Sequence, residues 1–156
     1  MFVLSPQQAA PVSDGYLRPL PGGFSLYINA SAERLRMVRA LAARTLREAG
    51  ADAETRENVL LVASELIGNC VRVCGDGVPV VIDIEAGLAG VWVRVHDPEA
   101  DRLPRPAHVA LDDPEAESGR GLGLVDLLAP GWRVVATPLG KQIVCHLPYA
   151  RGGRCV

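Results

Sequence analysis

The length, composition and charge of the chain favour one soluble domain and argue against a nucleic-acid partner. Its 156 residues suit a single domain, and 49% hydrophobic residues can build a substantial core. The formal net charge is -2, and Arg is intermixed with Glu, so no basic stripe is available for a phosphate backbone. The apolar N-terminal stretch is too short for a signal peptide, and no membrane-length apolar run follows it. We therefore expect a cytoplasmic protein with no nucleic-acid and no membrane partner.

In chain order, the sequence divides into a lead-in, a domain and a tail. Residues 1–22 contain several prolines and little periodicity, which predicts a flexible lead-in. Residues 23–149 carry the periodic segments and form the predicted domain, and residues 150–156 form a polar tail. Apolar periodicity and the capping residues Ser31 and Asp52 predict, in order, a strand over 24–28, helices over 32–49 and 53–74, a hairpin over 80–95, a helix from about 124 and a second hairpin over 132–147.

Two polar residues lie late in the second predicted helix. Glu65 and Asn69 are four residues apart and stack on one face, and Arg72 continues their row. A carboxylate can accept a proton, and an amide oxygen is a hard ligand suited to magnesium. The alternative is an ordinary solvated helix face or a hydrogen bond at the end of the helix. The spacing alone leaves both interpretations open.

The first hairpin ends on an acid that breaks its pattern. Val91, Val93 and Val95 share the buried side of the strand, and Asp97 is next on that side. A carboxylate that faces the core needs a donor partner, and the amino group of a ligand is one candidate. The alternative is that Asp97 has left the strand and starts a turn with Pro98.

A glycine-rich segment follows a long loop that is rich in proline and acidic residues and is expected to be functional or disordered. Gly119, Arg120, Gly121 and Gly123 stand just before the third predicted helix. Backbone N–H groups at such a place can hold an anion, because the helix N-terminus favours negative charge. Neither established phosphate-loop spacing is present, so glycines that only pack a helix closely remain the alternative.

The four cysteines lack the spacing of a metal site. Cys70 and Cys74 are helical neighbours that cannot form a standard disulfide, Cys145 lies in a strand and Cys155 in the tail. Cys70 is interpreted as a small apolar core residue.

The order of these motifs is more specific than any one of them. A helix with E-L-x-x-N, a hairpin that ends in Asp, a proline-rich loop, a G-x-G helix and a hairpin with T-P-x-G-K follow one another over residues 24–148. The sequence thereby resembles the GHKL ATPase superfamily, and within it the anti-sigma-factor serine/threonine kinase-like proteins of bacteria. The resemblance implies an α+β fold, a two-layer sandwich of an antiparallel-rich mixed sheet with about three helices on one face.

The resemblance also implies ATP and Mg²⁺ as cofactors and a role for each motif. By this match Glu65 is the general base, Asn69 holds the magnesium, and Asp97 accepts the adenine amino group. Gly119, Gly121 and Gly123 match the glycines beside the phosphates, and Arg120 is a candidate cationic contact there.

Two functions of different classes are compatible with these motifs. The first is a protein kinase in transcription control that phosphorylates a serine of an anti-anti-sigma-like antagonist and sequesters a sigma factor. The second is a GHKL-fold module that regulates a partner by association only. Intact Glu65 and Asn69 favour the first, whereas Pro98-Glu99-Ala100-Asp101 replaces the glycines that relatives carry after the Asp and favours the second. Pairing of two copies through the sheet edge or first helix is a further expectation.

Overall fold

The computed structural model describes residues 10–12, 15–99 and 117–151. In these ranges the chain forms seven strands and three helices. The elements are, in order, β1 (Ala10–Val12), β2 (Gly15–Leu20), β3 (Gly23–Asn29), α1 (Ala32–Glu48), α2 (Ala53–Cys74), β4 (Pro79–Ala86), β5 (Gly90–Asp97), α3 (Glu117–Leu128), β6 (Arg133–Thr137) and β7 (Gly140–Pro148).

Both long helices begin at the predicted caps. The Ser31 hydroxyl accepts a hydrogen bond from the Arg34 N–H at the start of α1, and the Asp52 carboxylate accepts one from the Thr55 N–H at the start of α2. Such bonds satisfy N–H groups that have no partner inside the helix. Each helix buries one apolar stripe, which confirms the predicted periodicity. The buried stripes are Val38, Ala42 and Leu46 in α1, and Val59, Val62, Leu66 and Cys70 in α2.

The strands form one sheet in the order β1-β2-β3-β4-β5-β7-β6. All six pairings among these strands are antiparallel. Both predicted hairpins are present, and the second one enters the sheet with β7 next to β5. Helices α1 and α2 cover one face of the sheet, α3 packs against α2, and the resulting α+β sandwich confirms the predicted fold class.

The sheet extends further toward the N-terminus than the sequence predicts. Residues 10–12 and 15–20, assigned above to a flexible lead-in, form β1 and β2. Register pairs Gly15 with Ile28 and Leu20 with Gly23, so β2 is bonded to β3 along its full length. Pro19 argues against a strand in the sequence, because proline lacks the N–H that a central strand needs. Because β1 pairs only with residues 15–17, Pro19 lies at an open edge of the described sheet, where a missing N–H is tolerated.

The two faces of the sheet differ in chemistry. The face toward the helices contributes aliphatic side chains to the core, including those of Leu26, Ile82 and Val93. On the opposite face the Trp92 ring lies 4.5 Å from the His146 ring and under the Arg94 guanidinium. No helix in the described part of the chain has the length and apolarity needed to cross a bilayer.

Candidate functional site

The Glu65 and Asn69 pair lies on α2 at the border of the core. Both side chains are half-buried, while Leu66 and Cys70, the residues that follow each of them, are buried. The pair is therefore neither in the core nor on a fully solvated face. The described residues provide no hydrogen-bond partner for the Glu65 carboxylate.

Asn69, in contrast, is already hydrogen-bonded. Its Oδ1 accepts a bond of 2.7 Å from the Arg72 guanidinium, one turn further along α2. A Cβ placed on Gly68 would lie 3.4 Å from Arg72 Nη1, so the guanidinium folds back over this turn of the helix. The amide oxygen that the resemblance assigns to magnesium is thus bonded to a cation of the chain itself.

Asp97 ends β5 and faces the core. It continues the buried side of the strand and is only 2% exposed, as the first alternative expects, while its bond to the N–H two residues later is that of a turn, as the second expects. Its Oδ1 accepts hydrogen bonds of 2.9 Å from Lys141 Nζ and 2.9 Å from the Glu99 N–H. Its Oδ2 accepts a bond of 3.6 Å from the Cys70 thiol. The buried carboxylate is therefore surrounded by donors.

Lys141 is the residue of this site that the sequence reasoning missed. Register pairs it directly with Asp97, its Nζ also donates to the Glu99 carbonyl oxygen at 2.7 Å, and the residue is 3% exposed. A signal for it was present in the sequence. Counting back by two from buried Ile143 gives Lys141, just as counting on from Val95 gives Asp97. An acid and a base at the matching ends of two buried strands predict an ion pair.

Gly140 brings the start of β7 against the end of β5. Its φ is +147°, and a Cβ there would lie 2.0 Å from the Asp97 carbonyl oxygen and 2.6 Å from Pro98 Cα. A side chain at this position has no room. The glycine thereby allows the close approach that sets Lys141 opposite Asp97.

Cys70 links helix and sheet at the site. Burial, followed by the charge and hydrogen bond of Asp97, raises the pKa of the Cys70 thiol far above its usual range. Burial alone raises the pKa of Cys145 to about 12. Both thiols are therefore protonated at neutral pH. The contact of Cys70 with Asp97 places the Asn69 turn of α2 beside the end of β5.

The glycine segment lies inside α3 rather than before it. Helix α3 begins at Glu117, so Gly119, Arg120, Gly121 and Gly123 belong to its first two turns, a correction to the helix start expected near residue 124. The buried stripe explains the earlier start, because Leu122, Val125 and Ala129 are three and four residues apart. The side chain of Arg120 and most of the loop over residues 98–118 lie outside the described residues. The proposed contacts of the glycines with phosphates stay predictions.

The comparison with protein families decides the assignment of the chain. The model of the histidine kinase-like ATPase domain matches residues 28–145. The chain belongs to this family. No match was found among curated protein sequences. Membership implies that the ATPase domain binds ATP, usually with Mg²⁺, and the matched range includes α2, β5, α3 and β7.

The side chains of this ATPase domain fit a nucleotide in chemical type. A buried carboxylate that accepts N–H donors suits an amino group of a base, and a carboxamide beside a carboxylate suits a hydrated magnesium ion. Within the described residues there is no cluster of three or more His, Cys, Asp or Glu that would bind a metal on its own. A magnesium ion held by Asn69 would share its coordination with phosphates and waters, as Mg²⁺ at nucleotide sites commonly does. Arg72 is hydrogen-bonded to Asn69, and Lys141 is hydrogen-bonded to Asp97.

Proposed function

We propose that this ATPase domain is an ATP-binding regulatory protein of the anti-sigma-factor kinase-like type, which phosphorylates or sequesters a protein partner in transcription control. One observation carries the proposal. The contact between Cys70 and Asp97 joins α2 to the end of β5, so the candidate acceptor for adenine lies beside the helix turn that bears Asn69. Glu65 lies one turn earlier on the same helix face.

In this proposal each side chain has a separate task. Asp97 accepts the amino group of the base, Asn69 contributes an oxygen to the metal, and Glu65 accepts the proton of the serine hydroxyl on the partner. The nucleotide with its metal supplies the phosphoryl group. Phosphoryl transfer depends mainly on positioning and charge neutralisation, so a small set of protein groups can support it.

A second candidate is a regulator that acts by association only. Two bonds favour it: Arg72 occupies the oxygen of Asn69, and Lys141 occupies Oδ1 of Asp97. The acidic residue Glu99 also bonds to Asp97 through its backbone N–H, and acidic residues near a nucleotide repel its polyphosphate. In this case partner binding would be unaffected by nucleotide.

Titration calorimetry of the full chain with ATP and magnesium separates the two candidates. The kinase-like proposal expects saturable heat, and Asn69→Ala should weaken binding only when magnesium is present. Asn58→Ala, a half-buried asparagine on the same helix, is the matched control and should bind as the parent protein does. Absence of binding at millimolar ATP with magnesium would remove the nucleotide from the proposal and leave association only.

A second experiment tests the role of Glu65. Glu65→Ala should keep ATP affinity while abolishing transfer of labelled phosphate from ATP to the serine of the partner protein, because a general base acts on the reaction and not on binding. Exposed Glu57 lies on the same helix, and Glu57→Ala should retain both properties. Full turnover by Glu65→Ala would contradict its assignment as the base.

A further inference from the structure

Lys141 is the only lysine of the chain, and it is buried against the carboxylate that the proposed function assigns to adenine. Its Nζ lies 2.9 Å from Asp97 Oδ1. An ammonium group and a purine amino group both offer N–H donors to a carboxylate oxygen. The lysine and the base therefore require the same acceptor.

Donors of the chain take three of the roughly four acceptor sites of the Asp97 carboxylate, and both sites of Oδ1. Its Oδ1 already accepts from Lys141 and from the Glu99 N–H, which matches the two lone pairs of that oxygen. Its Oδ2 faces the Cys70 thiol on the side of α2. An amino group of a base can reach Oδ1 only if a donor of the chain leaves it.

Of these donors, Lys141 is the one carried on a long flexible side chain. The Glu99 N–H belongs to the backbone two residues after Asp97, and Cys70 is fixed in the buried stripe of α2. The ammonium of Lys141 is carried on a flexible four-carbon stem. Rotation of this stem would release the acceptor without a change in the sheet.

We infer that Lys141 determines whether the site accepts adenine. With its ammonium on Asp97 it takes the place of the purine amino group, and adenine binds only when Lys141 withdraws. The inference rests on the proposed nucleotide-binding function. In the ion-paired form the site lacks the contact that distinguishes adenine, so any nucleotide is held mainly through its phosphates.

Replacement of the lysine tests the competition. Lys141→Met removes the ammonium and keeps an unbranched stem, and binding of ATP, GTP and tripolyphosphate is measured by calorimetry with magnesium. The variant should bind ATP at least about tenfold more tightly than the parent protein, because a hydrogen bond to a charged group becomes available. Affinity for GTP and tripolyphosphate should stay the same. Arg133→Met, which removes an exposed cation from β6, should change none of the three.

A double variant shows whether Asp97 is the acceptor. Asp97→Leu combined with Lys141→Met removes both charges and should lose the gain in ATP affinity. If the double variant keeps that gain, the inference is wrong. Equal ATP affinity of the parent protein and Lys141→Met would also overturn it, yet would leave the proposed function intact. Failure of both proteins to bind ATP would overturn the proposed function itself.

The parent protein provides a test that does not depend on a variant that folds. Lys141 is the sole lysine, so an amine-acylating reagent followed by mass spectrometry reports on this side chain and the N-terminus alone. Saturating ATP with magnesium should accelerate acylation of Lys141 several-fold, because its ammonium leaves a buried ion pair. Tripolyphosphate should not. An unchanged rate with bound ATP would contradict displacement of the lysine.

Discussion

At the scale of single residues, the structure is marked by a charged pair in a place where apolar side chains are the rule. Asp97 and Lys141 are almost completely withdrawn from water, and their mutual attraction must offset the loss of hydration of both. Three further contacts help: the Glu99 N–H and the Cys70 thiol donate to Asp97, and Lys141 donates to the Glu99 carbonyl oxygen. The buried ion pair is therefore stable only while these three contacts accompany it.

Removal of one partner should therefore cost more than removal of both. We expect Lys141→Met to lower the free energy of unfolding by about 3 to 5 kcal/mol, because it leaves a buried carboxylate without its counter-ion. The double variant with Asp97→Leu should recover most of this loss. Urea denaturation of the single and double variants measures the effect.

An exposed ion pair provides the control for this prediction. Arg44 and Glu48 lie 3.3 Å apart on the surface of α1, and Arg44→Ala should cost less than about 1 kcal/mol. A similar small loss for Lys141→Met would show that the buried pair contributes no more than a surface pair.

At the residue level, the sequence was informative where the alternation within a single strand indicates which side a residue faces. The alternation of Val91, Val93 and Val95 made a core-facing Asp97 one of two alternatives, and the structure buries this side chain. Prediction failed where two elements had to be combined. The partner of Asp97 depends on the register of β5 against β7, which the pattern of either strand alone does not specify.

At the scale of elements, α2 is fixed at its start by a network that reaches the end of the domain. The Asp52 carboxylate accepts bonds from the N–H and the hydroxyl of Thr55, and that hydroxyl accepts a bond from the Ala150 N–H. Although desolvation, the largest single effect, raises the pKa of Asp52, these hydrogen bonds together lower it below the ordinary value of 3.8. The cap therefore favours the ionised carboxylate.

This network gives a pH-dependent contribution to stability with a defined direction. Because folding lowers the pKa of Asp52, its contribution is present above pH 3.8 and is lost as the pH falls through the lower pKa of the folded state. Asp52→Asn keeps a good capping residue and removes the charge. Its unfolding free energy should fall less steeply below pH 4 than that of the parent protein. Parallel denaturation curves in this range would contradict the prediction.

The turn between β6 and β7 offers a test of local geometry. Gly140→Ala should destabilise the protein by more than about 2 kcal/mol, since it adds backbone strain to a clash with the Asp97 carbonyl. Gly131 also has a positive φ, +85°, but nothing lies within 4 Å of a Cβ there. Gly131→Ala should cost only about 1 kcal/mol. Equal losses in thermal denaturation would show that the close approach at Gly140 is not limiting.

Elements with strong apolar periodicity were predictable, and those without it were not. The bounds of α1 and α2 and both hairpins follow from caps and alternation. Helix α3 starts earlier than expected because three glycines, each costly in a helix, masked a buried stripe that continues through Leu122. Strand β2 escaped prediction because its side chains are mostly half-buried and its pairing with β3 is a property of the backbone.

At the scale of the whole molecule, the N-terminal strands have a protective role. Strand β3 contributes Phe24, Leu26 and Ile28 to the core, and its outer edge is covered by β2. Without β2 this edge would expose a row of unpaired N–H and C=O groups next to apolar side chains. Such an edge is a template for pairing with another chain.

Deletion of residues 1–21 should therefore both destabilise the domain and promote association. We expect a loss of at least about 2 kcal/mol in unfolding free energy, since Leu17 of β2 packs against the core. The shortened protein should also form a larger species than the full chain in light scattering, because β3 becomes the edge. Deletion of residues 1–9 removes none of the described strands and serves as the control. If the longer deletion changed neither the free energy of unfolding nor the molecular mass in solution, β2 would not be needed to protect the edge of β3. The residues of β3 itself would then protect that edge.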